Sequence, residues 1–486
     1  GGAGADGTGT INSANAGNGG AVTLTISTAI TGNVSLTAGN GGAAGAAGAG
    51  AGNGSNGGAG GTMAATIENN IGGTLFLNDG ATGATGATGT GTAGTAGVAG
   101  ATTVTLTSVA NQIITGAVTA GSDGEGAIVV QTATNDTTVT FASDIGTNDV
   151  RLKTLEVNGG DNLNSAGNFN GDVYVDAITI TSLTTNSGTA SAFFAKDVSF
   201  TTLTLDKDDV EATATFDGTT AQTITGSILG ASTGEGAITV SNATKRVTFA
   251  SALGATGLGA ITLAKGSDTA FDSTVAAASL TLAAIDDSDA AAKATLNGAV
   301  TLTGELLAAT GTAITLGSTF VDTTTAINVG TNSTANFDTM AITVNLSNQF
   351  TTGTVTLLDN NATLDAADLA AFTVTDTALV DYTIALGTVD AAADSLKVTA
   401  SKRTTAGIAT YLGMSSAQTA ALGQISAAVA SGDATASTAL DTVLVAGGST
   451  AVNAAEQLNS DAGAAMGAAM AVTGGVNNVI AGRQAN

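Results

Sequence analysis

The sequence predicts a mainly β fold: a parallel β-helix (β-solenoid) with glycine-rich insertions near its N-terminus and an α-helical region at its C-terminus. Three observations predict it. Bulky side chains are scarce, with aromatics at 3% of 486 residues, no Trp and 68 Gly. No thick core can be filled, so order has to come from backbone ladders repeated along one axis. Short segments alternate Val, Ile or Leu with Thr, the period-two signature of half-buried strands. A long phrase also recurs: QIITGAVTAGSDGEGAIVV at Gln112–Val130 returns as QTITGSILGASTGEGAITV at Gln222–Val240, each followed by VTFAS, at Val139–Ser143 and Val247–Ser251. A repeat of that size spans several coils, which favours a right-handed solenoid over a sandwich. At roughly 20 residues per coil and about 4.8 Å per rung, some 400 residues make a rod on the order of 100 Å long.

Residues 1–101 carry three glycine-rich blocks, Gly1–Gly20, Gly39–Gly61 and Gly80–Gly100, interleaved with the first strands AVTLTIS (Ala21–Ser27) and NVSLTAG (Asn33–Gly39). In GATGATGATG glycine falls at every third position, but a chain with no Pro cannot prefix collagen's extended backbone. The blocks recur about every 40 residues, so stacked coils would send them out on the same side. Adjacent chains with Gly at every third residue can form extended helices of three residues per turn and bond side by side, because Gly lets backbones approach closely. Gly39, Gly45, Gly48, Gly80, Gly83, Gly86 and Gly89 are the candidate packing and assembly positions. A free Gly/Ala/Thr loop is the other reading of these blocks. Gly89–Gly94 spells GxGxxG within this tract but lacks the strand before it and the helix after it that dinucleotide binding needs.

Residues 102–400 read as solenoid: TTVTLTSV (Thr102–Val109), TVTFAS (Thr138–Ser143), AITITSLTT (Ala177–Thr185) and VSFTTLTL (Val198–Leu205) alternate with Asn-, Asp- and Gly-bearing corners, as around Gly218 and Gly298. Those corner residues tolerate positive φ. Acidic clusters offer oxygen ligands for calcium: Asp206, Asp208 and Asp209; Asp286, Asp287 and Asp289; and Asp359 with Asp365 and Asp368. None follows an EF-hand or the glycine-aspartate nonapeptide, and solvated corner acids are the preferred reading of them, with calcium as the alternative.

Residues 401–486 change to helical spacing. Ile408, Leu412, Leu422, Ile425 and Val429 recur at three or four, and Gly463, Gly467 and Ala471 form a line of small residues on one face of a later helix, a further candidate contact.

The net charge is −26, and no Lys or Arg precedes Arg151. Nucleic acid, which demands clustered cations, is excluded as a partner. Calcium is the one cofactor such a surface invites. With no Cys there are no disulfides or thiolate sites, and with no His the commonest general base is missing; both fit an exported protein. No apolar run is long enough for a transmembrane segment, and a start at Gly1 without Met reads as a processed chain. Carbohydrate-active sites on β-helices want aromatic platforms, and with no Trp and 3 Tyr an enzyme is not expected.

The C-terminal stretch carries Ala454, Ala455, Glu456, Gln457 and Leu458, then the small-residue helix, then Val476, Asn477, Asn478, Val479, Ile480 and Arg483. It resembles the passenger–barrel junction of autotransporters, the type V secreted proteins of Gram-negative bacteria, although Ser460 stands where that family commonly has Pro. The phrases ITGSI, GEGAITV and VTFAS resemble passengers of the rickettsial outer-membrane-protein-B type, which coat cells as surface layers. The resemblance implies a passenger once joined to an outer-membrane barrel, located outside the cell or on the surface of a Gram-negative bacterium. It also implies Asn486 as a site of self-cleavage. Together these readings lead to the expectation of a secreted structural protein, partnered by copies of itself in a filament or surface layer. The rival is a monomeric adhesin for a glycan or protein.

Overall fold

The computed structural model describes residues 15–423, apart from 47–52, 88–91, 108–109, 132, 135, 161–162, 183–187, 208–209, 243–244, 284–290, 323, 331–336, 338–340, 347–351, 361–362, 378–379, 390–393, 417–418 and 421–422. Two compact units divide the chain: Gly1–Thr312 with Val329–Ala335, and Ala313–Asn328 with Asn336–Asn486.

The first unit is a parallel β-solenoid with three faces. On face A, Leu24, Ala65, Val104, Ile128, Leu155, Ile178, Leu203, Ile228, Leu253, Val275 and Val300 stand in successive register. Face B stacks Ile30, Ile71, Ile114, Phe141, Phe169, Phe194, Phe216 and Val240. Face C stacks Val34, Leu75, Val118, Ile145, Val173, Val198, Ile224, Phe249, Phe271 and Leu296. Alternation explains the arrangement: in Glu125–Val130 and Ser165–Phe169 every second side chain is buried while its neighbours are less so.

Each inward side chain meets its counterparts one rung above and below, because the strands pair in parallel and in register. Phe141, Phe169, Phe194 and Phe216 therefore form a ladder with ring centroids 5.1, 5.1 and 5.5 Å apart. The ladder then turns edge-on to Phe249, which stacks on Phe271 at 5.5 Å. Six of the ten phenylalanines that are buried among the described residues thus lie on one continuous seam.

Coil length differs from the roughly 20 residues expected. From Val104 to Val300 the face A positions advance by 22 to 27 residues, because three faces with corners consume more chain than a minimal coil. From Leu24 through Ala65 to Val104 they advance by 41 and 39. Eleven rungs at about 4.8 Å give this unit a stack of about 50 Å. The excess in the first coils is the glycine-rich chain, which leaves after face C at Thr37 and Asn78 and re-enters face A at Thr62 and Ala101.

The corners follow expectation only in part: Gly124, Gly146, Gly234 and Gly266 have positive φ, at 67–85°, but the two corners singled out in the sequence do not. Neither Gly218 nor Gly298 has positive φ; a Cβ on Gly218 would fall on the Ala195 carbonyl oxygen, and one on Gly298 on the Ser273 backbone. Among non-glycine residues described, only Asp136 has positive φ, at 59°. Corner Asn and Asp serve instead as bridges between coils. The side-chain oxygens of Asn33, Asn70, Asn111, Asp144, Asn164 and Asp197 accept the amides of Thr74, Ile113, Thr138, Asp172, Thr189 and Thr223, one rung on, at 2.8–3.1 Å.

The second unit keeps parallel pairing at first, Ile342–Leu346 with Phe372–Val374, and Phe337 meets Phe372 edge-on at 5.4 Å. Its end is different. Ser395–Lys402 runs antiparallel to both Gly353–Asn360 and Val380–Gly387. Gly387 faces Ser395 across a connection too short for the crossover that a parallel pair needs. Beyond it, Thr404 caps the helix Thr405–Tyr411 by accepting from the Gly407 amide at 3.2 Å. The helical reading beyond residue 423 lies outside the described residues.

Candidate functional sites

Among the described residues the glycine-rich chain forms a two-layer bundle of five arms. Outgoing arms 39–46 and 80–87 make one layer; returning arms 15–20, 53–61 and 92–100 make the other. Within layers the bonds run parallel, from Gly41 and Ala44 amides to Ala81 and Ala84 carbonyls, and from Gly54, Gly57 and Gly60 to Thr92, Thr95 and Val98, at 2.8–2.9 Å. Between layers they run antiparallel: Gly83 to Gly58 at 2.9 Å, Gly86 to Ser55 at 3.1 Å, Gly100 to Gly80 at 2.6 Å. Bonds and burial both repeat every third residue, as helices of three residues per turn require. Gly42, Gly45, Gly58, Gly61, Gly80, Gly83 and Gly86 are buried between the layers. A Cβ on Gly83 would land on the Gly42 carbonyl oxygen, and one on Gly58 on that of Gly17. Only Gly fits that close approach.

Five asparagines complete the bundle. Asn15, Asn18, Asn40, Asn53 and Asn56 accept the amides of Asn56, Ala59, Ala81, Thr92 and Thr95 at 2.8–3.0 Å. Ser55 occupies an inner position of the glycine register, and its Oγ donates to the Gly45 carbonyl at 3.0 Å. Sequence reasoning missed these residues, although Asn15–Asn18 and Asn53–Asn56 repeat the spacing of three. Asp79, buried where the second outgoing arm begins, accepts the Thr102 amide at 2.5 Å and donates its own amide to Glu125 Oε2 at 3.3 Å.

The next coil sends out no arm, because Ala120 to Glu125 turns directly between faces C and A. Arms 80–87 and 92–100 are therefore the edge of the bundle on that side. There the outer surface consists of Ala and Thr together with Val98, which is 74% exposed. At the start of the solenoid, Val22–Ile26 pairs with Thr62–Ile67 alone among the described residues, leaving Val22 48% and Leu24 37% exposed.

Of the sequence-selected assembly positions, the bundle brings Gly45, Gly80, Gly83 and Gly86 into its interior and leaves Gly39 exposed at its base. Gly48, Gly89, Gly463, Gly467, Ala471 and the cleavage candidate Asn486 lie outside the described residues. So do Asp208, Asp209, Asp286, Asp287 and Asp289. Asp206 lies half-buried at the end of Val198–Lys207, close to an exposed ion pair between Lys207 and Glu211 at 3.1 Å. Asp365 and Asp368 form a capping box on Ala366–Ala370, and Asp368 Oδ1 also accepts the Phe337 amide at 2.9 Å; these acids are engaged in folding. Among the described residues no group of three or more acids is gathered to hold a metal ion, and no helix is long and apolar enough to cross a membrane.

A ladder of corner acids, Asp144, Asp172 and Asp197, runs up the start of face C. Burial, then the Asp144 and Asp197 charges, push the Asp172 carboxyl above its ordinary value, while Lys196 and the Asp197 amide pull the other way. Tyr174, beside them, is raised by burial and then by the same carboxylates.

No protein-family model matches this chain, and searches of curated proteins and of solved structures return no match either.

Proposed function

We propose that this chain is an exported structural protein whose copies assemble into an extracellular filament or surface layer. The single observation that carries the reading is the two-layer glycine bundle with its uncovered edge. Extended arms bonded side by side form a lattice that has no intrinsic width, and a second copy's arms can continue it with the same bonds. Small outer side chains favour that approach, and Val98 supplies an apolar contact at the edge. The open rung at Val22–Ile26 offers a second surface, and a head-to-tail contact there grows without closing. The passenger-like repeats and junction-like ending fit export through an outer-membrane barrel to the surface of a Gram-negative cell. Calcium is the natural counterion for bringing chains of charge −26 together.

The test is electron microscopy and light scattering of the full chain beside a variant in which Gly39–Gly61 is replaced by a short Gly-Asp turn. The variant is expected to keep the β circular dichroism of the solenoid and stay monomeric while the parent polymerises. Intact filaments from the variant overturn the role given to the bundle.

A further inference from the structure

Face B carries a feature unrelated to the bundle. Across Thr137–Phe141, Ser165–Phe169 and Ala190–Phe194 its outer surface sinks into an open groove of about 610 Å³, within the rough 300–1,000 Å³ range of small-ligand sites. Its floor holds an aromatic ring in an otherwise small-residue surface. In ASAFF the alternation sends Phe194 into the buried ladder and Phe193 to the opposite side, where it is partly exposed. Register puts Asn168 one rung below Phe193 and Thr215 one rung above. Asn170 and Asp217 follow two residues on along those strands, Ser191 precedes Phe193 by two, and Asp136 stands at the far wall, all of them lining the groove. The pleat sets neighbouring outward groups about 5 Å apart between rungs and about 7 Å along a strand. The ring is thus rimmed by two amides, a hydroxyl and a carboxylate. Among the described residues the side chains of Asn168, Asn170 and Ser191 have no hydrogen-bond partner in the protein.

We propose that this groove binds a neutral oligosaccharide, with Phe193 as the stacking platform and Asn168, Asn170 and Asp217 as the hydrogen-bonding rim. A pyranose has an apolar C–H face that lies on an aromatic ring and a circumference of hydroxyls that both donate and accept. Asn offers donor and acceptor in one plane and Asp accepts twice, which is the complement those hydroxyls need. The rigid ladder beneath holds the rim in place, so little ordering is lost on binding. Charge selects the sugar class: Asp136 and Asp217 line the groove and, among the described residues, no Lys or Arg does, so anionic sugars are repelled. Burial raises the Asp217 carboxyl above its ordinary value, in keeping with a group set into the groove wall. The volume suits a segment of two or three sugars. This site is independent of assembly.

The full chain is tested on an immobilised panel of neutral, cationic and acidic oligosaccharides, and the strongest neutral binder is titrated calorimetrically. Neutral members are expected to be retained and acidic ones not. Phe193→Ala is expected to weaken binding at least tenfold and Asn168→Ala several-fold. Phe193→Tyr keeps the platform and the affinity, and Phe76→Ala, on face C, leaves it unchanged. Should Phe193→Ala lose its β circular dichroism, Asn168→Ala and Phe193→Tyr decide the matter. Retention of no neutral saccharide at millimolar concentration, preference for acidic or cationic ones, or affinity indifferent to Asn168 and Phe193 overturns the proposal.

Discussion

Asparagine and aspartate at the corners of this solenoid act on the next coil, not on their own backbone. Asp144, Asp172 and Asp197 show the cost of using the charged member: each accepts an amide from the rung above, and the carboxylates also stand near one another. A carboxyl whose native pKa is raised holds its proton more tightly folded than unfolded. The ionised form therefore costs stability at neutral pH, and that cost fades as pH falls through the native value toward the ordinary 3.8. Asp172→Asn keeps the amide acceptor and removes the charge. It is expected to raise the melting temperature at pH 7 and to change it little at pH 3.5; a loss at pH 7 would show that the carboxylate's bonds outweigh its burial. In the bundle, Gly83→Ala is expected to cost about 1–3 kcal/mol of local stability through overpacking against Gly42. Ala84→Ser, at an exposed position of the same triplet, should stay within about 0.5 kcal/mol. Hydrogen exchange of the arm amides separates the two. At this scale, inward residues such as Val139 and Phe141 were legible from alternation. Phe193 as a platform was not, because its neighbours come from other coils and depend on the intervening corner lengths.

Among elements, the ending of the second unit has the clearest design. An antiparallel hairpin sets Ser395–Lys402, the last strand among the described residues, against the run of the parallel rungs. Arg403 fastens that hairpin. Its guanidinium meets Asp376 at 2.7 Å and Asp381 at 3.4 Å, donates from Nε to the Thr377 carbonyl at 3.1 Å, and lies 4.7 Å from the Tyr411 ring centroid with 14% of the side chain exposed. Arg403→Ala is expected to cost about 1.5–3 kcal/mol by denaturant unfolding followed through tyrosine fluorescence, and Arg403→Lys to restore only part, since an ammonium cannot fork and stack together. Loss of less than 0.5 kcal/mol would show the hairpin holds without it. The strands of this region were legible in the sequence, their direction was not: Val, Ile and Thr alternate alike in parallel and antiparallel pairs. The bundle was legible because glycine at every third residue and a 40-residue recurrence fix both its backbone and its side of the coil.

For the whole molecule, charge sets the terms of association. The chain carries −26, and its first 150 residues contain no cation to answer the acids of a second copy. Assembly is accordingly expected to quicken as salt rises from 10 to 200 mM, where screening shortens from about 30 to below 10 Å. Calcium should act at far lower concentration than sodium. Scattering that is indifferent to both ions would place the contacts away from the acids.

The recurring phrase has a consequence of its own. Ile114 lies on face B, while its counterpart Ile224 lies on face C; Phe141 and Phe249 are displaced in the same way. The second copy begins 110 residues after the first, at Gln222 against Gln112, which amounts to four turns and a third. A thread that accepts the same text on any of its flats can be lengthened or shortened in thirds. Splicing Gln112 directly to Thr223 ought therefore to yield a shorter screw that still winds, every later flat rotated by one position.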